Sequence, residues 1–212
     1  MITTKHFVFN ELEENAFVLF DETRECVIVD PGCNSPKQCG KLEDFITGQL
    51  LKPVYIVNTH GHFDHIFGNA WAKDVFQCPL LIHKDDLALL EQADKHAGIF
   101  GFHINKSPLP DRYLNPGETL YFGRSALEIL HVPGHSPGSI ALYSRDDNLL
   151  ICGDVLFNGS IGRTDLPGGD YNLLIRGIRE KLMALPRETI VWPGHGPGTT
   201  IGHEYDTNPF LR

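Results

Sequence analysis

Basic residues are scarce in this sequence of 212 residues. Its 18 lysines and arginines stand against 27 aspartates and glutamates, which gives a formal net charge of −9. A surface of that sign repels phosphate backbones and anionic headgroups, so we expect no nucleic-acid partner and no membrane partner. No apolar run approaches the roughly 18–20 residues that cross a bilayer. Because no basic stretch followed by an apolar one opens the chain, a cytoplasmic location is predicted.

The sequence also lacks close cysteine pairs. It contains five cysteines, an odd number, at positions 26, 33, 39, 78 and 152, and none of them forms a Cys-x-x-Cys motif. This spacing favours reduced thiols over a disulfide framework. With 42% hydrophobic and 21% charged residues the chain can bury a core. No linker or low-complexity segment divides it, so residues 1–212 are predicted to form one domain.

Short β-rich runs alternate with helical segments along the chain. Strands are predicted over residues 6–10, 16–21, 26–30, 54–57, 79–83, 119–122, 126–131, 139–143, 149–152 and 189–192. Helices are predicted over residues 36–50, 64–76, 85–97 and 171–184. This order predicts an α/β fold in which helices cover the outer faces of two packed sheets. Residues 98–117 are predicted to be either a lid over a site or a surface loop.

The segment HGHFDH at residues 60–65 is the most informative feature of the sequence. It follows a predicted buried strand and begins a predicted helix. Two histidines two residues apart on an extended turn, His60 and His62, can point at one ion. Asp64 and His65 on the first helical turn can point at a second ion. Neutral imidazoles and carboxylates are ligands for zinc, iron or manganese.

Three further residues with metal-ligand chemistry occupy similar positions. His135, Asp154 and His195 each lie on a glycine-rich turn just after a predicted strand. Loops at strand ends are where a rigid sheet presents functional groups. Any one such turn is weak support for a metal site, but four of them together predict a shared metal centre.

With these residues the chain resembles the metallo-β-lactamase-fold hydrolase superfamily over nearly its whole length. The resemblance implies a four-layer αββα sandwich and a site for two divalent metal ions, zinc in the first place and otherwise iron or manganese. It implies that His60, His62 and His135 hold one ion and that Asp64, His65 and His195 hold the other. Asp154 is then the ligand that bridges both ions.

Two further segments resemble the short glyoxalase II-like (hydroxyacylglutathione hydrolase-like) branch. They are FNGSIGRTDLPGGD at residues 157–170 and TTIGHEYDTNPFL at residues 199–211. The branch implies hydrolysis of a small-molecule acyl thioester by a metal-bridging hydroxide. The sequence after His195 is short compared with long-form glyoxalase II, which carries a helical glutathione-binding domain there. The thiol carrier is therefore left open.

Three residues receive individual predictions. Asp64 is predicted to be catalytic, orienting the attacking hydroxide while it also binds metal. Arg163 is predicted to contact substrate, or alternatively to form only an ion pair with Asp165. Asp30, at a strand end, is predicted to hydrogen-bond the ligand loop, or else to be a simple turn residue.

Other activities remain as alternatives. A mononuclear-iron persulfide dioxygenase of the same superfamily is the main rival. A β-lactamase is disfavoured because the two-metal lactamases of this fold lack the bridging aspartate found here as Asp154. RNA-end processing is disfavoured because the chain has neither a large inserted domain nor a basic surface. A metal-binding protein without catalytic activity is the alternative outside the enzymes.

Overall fold

A computed structural model describes residues 1–212, and its first six strands form one mixed sheet. In spatial order they are β1 Thr3–Phe9, β2 Glu14–Phe20, β3 Glu25–Val29, β4 Lys52–Val57, β5 Leu80–His83 and β6 Arg112–Leu114. The pairings β1–β2 and β2–β3 are antiparallel, whereas β3 to β6 run parallel. The short strand β6 lies inside residues 98–117, where the sequence predicts either a lid or a surface loop.

The second sheet has six strands from the other half of the chain. They are β7 Thr119–Phe122, β8 Ser125–His131, β9 Ile140–Ser144, β10 Leu149–Gly153, β13 Ile190–Pro193 and β14 Thr199–Thr200. Across the sheet the order is β14-β13-β10-β9-β8-β7. A small hairpin of β11 Leu156–Phe157 and β12 Ser160–Ile161 lies apart from both sheets.

Seven α-helices complete the chain. They are α1 Pro36–Gly48, α2 Phe63–Ile66, α3 Asn69–Phe76, α4 Leu87–Glu91, α5 Ala93–Ile99, α6 Tyr171–Gly177 and α7 Ile201–Thr207. A 3₁₀ turn over Lys84–Asp86 precedes α4, and a π-helical turn over Ile178–Leu182 extends α6. None of the helices has both the length and the apolar character that a membrane span requires.

The predicted continuous helix over 64–76 is wrong, because the chain breaks near Gly68. The Gly68 amide donates to the Pro31 carbonyl at 2.7 Å instead of continuing the helix. A Cβ at this position would lie only 2.5 Å from Cys33 Sγ. The turn after β3 therefore divides α2 from α3. The predicted helix over 85–97 is likewise divided into shorter pieces.

Three apolar layers hold the two sheets and the helices together. Alternate residues of the strands face opposite sides, so Val27 and Val29 pack between the sheets while Ile28 packs outward. The inner cluster joins Phe17 and Leu81 of the first sheet to Leu142 of the second, among others. Two further apolar clusters lie on the outer faces of the sheets, where each sheet packs against helices. This arrangement confirms the predicted four-layer αββα sandwich.

One edge of the sandwich gathers the ends of the strands that matter for function. The strands β3 and β4 run parallel in the first sheet, and β8, β10 and β13 run in one common direction in the second. The Ile140 amide donates to the Thr59 carbonyl at 2.9 Å and ties the two sheets together at this edge. Side chains that follow these strands are therefore brought close to one another.

Candidate metal centre

Three histidines from both halves of the chain form the first donor group. His60 and His62 follow β4, and His135 follows β8. His62 Nδ1 lies 2.9 Å from His135 Nε2, and the His60 ring centroid lies 4.8 Å from that of His62 and 4.9 Å from that of His135. One nitrogen from each ring lies within 4.8 Å of the others, so the group can hold one ion.

The second donor group consists of a carboxylate and two histidines. Asp64 and His65 lie on α2, and His195 follows β13. Asp64 Oδ2 lies 3.2 Å from His195 Nε2 and 3.7 Å from His65 Nε2. These atoms also lie within 4.8 Å of one another.

Asp154 lies between the two groups. Its Oδ1 is 3.4 Å from His65 Nε2 in the second group, and its Oδ2 is 3.6 Å from His135 Nε2 in the first. The same Oδ2 is 3.6 Å from His195 Nε2. The structure thus brings all seven predicted ligands together, in the two predicted sets with Asp154 between them. That they bind metal ions stays a prediction.

Two histidines of the first-sheet loop are oriented through the Asp30 carboxylate. Asp30 Oδ2 lies 3.0 Å from His65 Nδ1 and accepts the Thr59 hydroxyl proton at 2.6 Å. Because the Thr59 hydroxyl donates to Asp30, its oxygen is left to accept from His60 Nδ1 at 3.1 Å. Both rings therefore carry hydrogen on Nδ1 and direct a free Nε2 into the centre. The predicted hydrogen bonds of Asp30 to the ligand loop are present in the structure.

The two second-sheet histidines are oriented by backbone carbonyls instead. His135 Nδ1 donates to the Arg163 carbonyl at 2.8 Å, and His195 Nδ1 donates to the Leu12 carbonyl at 2.9 Å. A carbonyl only accepts, so these tautomers are fixed as well. Nε2 of both rings is left for the centre.

Asp86 joins the ligand loops of the two sheets, although no sequence pattern singles it out. Its buried carboxylate accepts hydrogen bonds from the Gly61 amide at 2.8 Å, the Ser136 hydroxyl at 2.7 Å and the Gly138 amide at 2.5 Å. Gly61 lies between His60 and His62, whereas Ser136 follows His135. One side chain therefore fixes both loops that supply the first donor group.

Two glycines make room for the close approach of the loops. Gly153 adopts a left-handed φ of 50°, and a Cβ there would collide with the Thr59 hydroxyl. At Gly194 a Cβ would collide with Asp154 Oδ1 and lie 2.7 Å from His65 Cε1. Only glycine leaves this space beside the donors open.

Burial and mutual proximity control the charges in the centre. Burial and the neighbouring His135 lower the pKa of His62 to about 3, and burial also holds the pKa of His60 well below its usual range. Burial alone would raise the pKa of Asp154, but His65 and the other histidines outweigh it and hold that pKa well below the usual range. Burial alone would lower the pKa of His65 and His195, but the Asp64 and Asp154 carboxylates outweigh it and raise the pKa of both rings. Because imidazoles bind metal in the neutral form, an ion that binds there must displace a proton from these two rings.

The donor set fits a cation pair. His60 Nε2, His65 Nε2 and Asp154 Oδ1 are buried polar atoms without a hydrogen-bond partner. Four acidic residues crowd around His65: Glu14, Asp30, Asp64 and Asp154. No lysine or arginine forms an ion pair with any of these four. Buried carboxylates beside free donor atoms are the environment of a multivalent cation.

The Arg163 side chain is engaged outside the donor groups. Its guanidinium forms two hydrogen bonds to Asp165, at 2.7 and 2.8 Å, and both side chains are exposed. The ion-pair interpretation is therefore present in the structure, while substrate binding by Arg163 stays a prediction. Its backbone carbonyl, by contrast, orients His135, a role that the sequence did not indicate.

Comparisons with known proteins agree with this geometry. The family model described as "Metallo-beta-lactamase superfamily" matches residues 10–195. The chain is 37% identical to hydroxyacylglutathione hydrolase GloC from Haemophilus influenzae, over 94% of this chain and 93% of that protein. It superposes on the crystal structure of the BLEG-1 B3 metallo-β-lactamase with a TM-score of 0.91, at 39% identity and with 99% of each chain covered.

A second solved structure is that of TTHA1623 in a di-iron-bound form. It has a TM-score of 0.89 and 42% identity, and the match covers 98% of this chain and 100% of that chain. The family match, the αββα sandwich and the histidine and aspartate clusters together indicate a divalent-metal hydrolase fold. The chain belongs to the metallo-β-lactamase superfamily.

Proposed function

We propose that the chain is a binuclear metal-dependent hydrolase that cleaves a small-molecule acyl thioester of the hydroxyacylglutathione kind. The observation that carries this proposal is the convergence of seven donor residues in two sets, with Asp154 between them. The similarity to GloC over 94% of the chain supports the thioester substrate.

In this proposal the seven donor residues divide between two metal ions. His60, His62 and His135 would hold one ion, Asp64, His65 and His195 the other, and Asp154 would bridge them. Imidazole and carboxylate ligands suit zinc, iron and manganese alike. Zinc remains our first expectation, and the di-iron form of TTHA1623 makes iron the alternative to test. A divalent pair bound there would lower the pKa of water towards neutrality and polarise an acyl carbonyl.

Asp64 is the proposed catalytic residue. Its Oδ2 faces His195 Nε2 at 3.2 Å, and burial leaves the side chain only about one-tenth exposed. Burial alone would raise the pKa of Asp64, but the neighbouring His65 and His195 outweigh it and lower the pKa below the usual value. An ionised carboxylate can accept a proton from the attacking water and hold its lone pair towards the carbonyl carbon.

The chemistry of the leaving group agrees with the residues present. A thiol has a pKa of roughly 8.5, so a thiolate leaves without taking up a proton. The centre then needs no separate general acid. Phe157 lies beside the donors with its ring 6.5 Å from that of His195, and we propose that it contacts the acyl or thiol portion of the substrate.

Arg163 is the proposed substrate-binding residue at the rim. The substitution Arg163→Ala removes the guanidinium but keeps the backbone carbonyl that orients His135. We expect KM for the thioester to rise several-fold, on the order of 1 kcal/mol of lost ground-state binding, while kcat and metal content stay unchanged. Asp165→Ala is the matched control, because it releases Arg163 from its ion pair and leaves KM unchanged or lower.

The test is a substrate panel on one metal-loaded sample. S-lactoylglutathione, a β-lactam and a glutathione persulfide are offered to the wild-type chain and to Asp154→Ala. Thioester hydrolysis that disappears in the variant supports the proposal. Hydrolysis of the β-lactam alone, as the similarity to BLEG-1 would suggest, contradicts the thioester assignment. Oxygen uptake on the persulfide would point to the dioxygenase instead.

A further inference from the structure

A pair of thiols lies outside the two donor groups of the candidate metal centre. Cys33 follows the turn after β3, and Cys39 lies in the first part of α1. Their Sγ atoms are 3.4 Å apart, although five residues separate them in the sequence. The other three cysteines have no thiol neighbour within hydrogen-bonding distance and lie buried in the apolar clusters: Cys26, Cys78 and Cys152.

Both thiols lie at the wall of a pocket of about 530 Å³. The turn before α1 and the start of α1 form one side of it, and Phe67, Trp71 and residues 103–105 form the other. Cys33 is buried against Gly68, where a Cβ would come within 2.5 Å of its sulfur, so its position is fixed. Cys39 is partly exposed to the pocket. A small solute can therefore reach the pair.

We propose that Cys33 and Cys39 form a peroxide-reactive dithiol that closes reversibly to a disulfide. The Cys39 thiolate attacks one oxygen of hydrogen peroxide, the O–O bond breaks, and the released hydroxide leaves as water after taking up a proton. Cys39 becomes a sulfenic acid. The Cys33 sulfur then loses its proton and displaces the hydroxyl group, which leaves as a second water. Two thiols are oxidised to one disulfide and the peroxide is reduced to two waters.

The environment makes Cys39 the attacking thiol. A hydrogen bond with the Cys33 thiol lowers the pKa of Cys39, and the amino end of the 13-residue helix α1 favours a thiolate further. Its partner Cys33 has a raised pKa, because it shares that hydrogen bond and is buried. Burial raises the pKa of Cys26 and Cys152 to about 12 and that of Cys78 to about 11. These three serve as unreactive internal controls.

Closing the disulfide shortens the distance between the two sulfur atoms from 3.4 Å to about 2.05 Å. Neither thiol belongs to a donor group of the metal centre. The proposal therefore goes beyond the proposed hydrolase and does not depend on it.

Peptide mapping of the intact, metal-loaded protein tests the pair directly. The protein is treated with hydrogen peroxide, its free thiols are blocked with maleimide, and trypsin then cleaves after Arg24, Lys37 and Lys41. A Cys33–Cys39 disulfide joins the peptides 25–37 and 38–41, and fragmentation distinguishes Cys33 from Cys26 in the first. We expect this joined peptide, and we expect dithiothreitol to separate it.

Two variants sharpen the result. Cys33→Ser abolishes the joined peptide and leaves Cys39 as a sulfenic acid that dimedone traps, whereas Cys78→Ala, the matched control, still forms the joined peptide. Without peroxide, native Cys39 reacts with maleimide at least ~10-fold faster than each internal control. Peroxide treatment of the wild type that leaves both thiols free, or that joins Cys39 to Cys26, would overturn the proposal. The wild-type mapping decides this even if a variant fails to fold.

Discussion

The two sheets supply the candidate metal centre in different ways. The first sheet contributes four donors from six consecutive residues, and the Asp30 carboxylate orients two of them, one through Thr59. The second sheet contributes one donor from each of three separate loops, and backbone carbonyls orient both of its histidines. The half of the centre that the first sheet supplies is therefore a local sequence motif oriented by the Asp30 carboxylate. The half that the second sheet supplies is assembled from separate loops and depends on the strand order.

This difference predicts how each half responds to mutation. Donors in one loop stay together when a distant contact is lost, so the first half depends most on its own donors and on Asp30. Donors on separate loops keep their places only through the fold, and side-chain mutations of their supports have little effect because carbonyls remain. Asp154 and Asp86 are the exceptions, since each contacts both halves.

The largest effect is expected from removing the carboxylate between the two halves. Asp154→Ala deletes the group that lies within 3.6 Å of histidines from both donor sets. We expect loss of at least one ion per chain and a fall in kcat on the order of 10³-fold, several kcal/mol of lost stabilisation. Metal analysis and thioester kinetics measure both quantities. A variant that keeps its full metal content and its rate would show that Asp154 bridges nothing.

The second-largest effect on metal binding is expected from Asp30, the carboxylate that orients histidines of the first sheet. Asp30→Asn keeps the shape of the side chain but removes the charge that faces His65 Nδ1 at 3.0 Å. Metal affinity is expected to fall about 10–100-fold, as for other carboxylates behind metal-ligating histidines. Competition with a chelator measures it. Asp21→Asn is the matched control, because Asp21 is also a buried acid and its carboxylate accepts hydrogen bonds only from Thr23, Arg124 and Ser125, none of which is a donor residue.

A smaller effect on metal binding is expected from Asp86, which connects the ligand loops of the two sheets. Asp86→Asn leaves one acceptor oxygen where the carboxylate accepts from the Gly61 and Gly138 amides and from the Ser136 hydroxyl. We expect about 1–3 kcal/mol less stability and metal affinity about 10-fold weaker. Urea unfolding and chelator competition measure the two effects. Asp85→Asn, which replaces the neighbouring exposed acid, should change neither the stability nor the metal affinity. Equal effects of the two variants would exclude a specific role for Asp86.

The smallest effect on the centre is expected from Asp21, which influences stability alone. Burial by itself would raise the pKa of Asp21, but hydrogen bonds from Thr23, the Arg124 amide and Ser125 outweigh it and lower the pKa to about 2. Because the unfolded value of 3.8 is higher, this stabilisation is complete above about pH 4 and disappears as the pH falls towards 2. It amounts to about 2 kcal/mol. Wild type and Asp21→Asn should therefore differ in unfolding free energy at pH 6 and converge near pH 2. A constant difference would contradict this pKa.

The sequence predicted most of the strands and the residues of the centre because both are local signals. The apolar run of Val27, Ile28 and Val29 does form a strand that is buried on both faces. The segment at residues 60–65 carries its donors within a single turn. His135, Asp154 and His195 were found through the glycine-rich turns that follow their strands, a signal that becomes specific only when the four loops are combined.

What the sequence did not predict depends on contacts between distant segments. The helix break at Gly68 comes from the Pro31 carbonyl and the Cys33 sulfur, which no helical periodicity reports. Asp86 is one of two consecutive acidic residues at the start of a helical segment, and only folding reveals its contacts with Gly61 and Gly138. The segment 98–117 is held by buried Ile104 and by Ser107, which accepts from the Asn69 side chain at 3.0 Å. Part of it forms β6 rather than loop throughout.

The most direct test of the two-ion centre is the metal content of the wild-type chain. The protein is purified without chelators, and zinc, iron and manganese are quantified per chain by elemental mass spectrometry. Two ions per chain, falling by at least one in Asp154→Ala, is the result expected if both sheets contribute to one centre. A single ion per chain that persists unchanged in Asp154→Ala would contradict the two-ion centre and favour a mononuclear site.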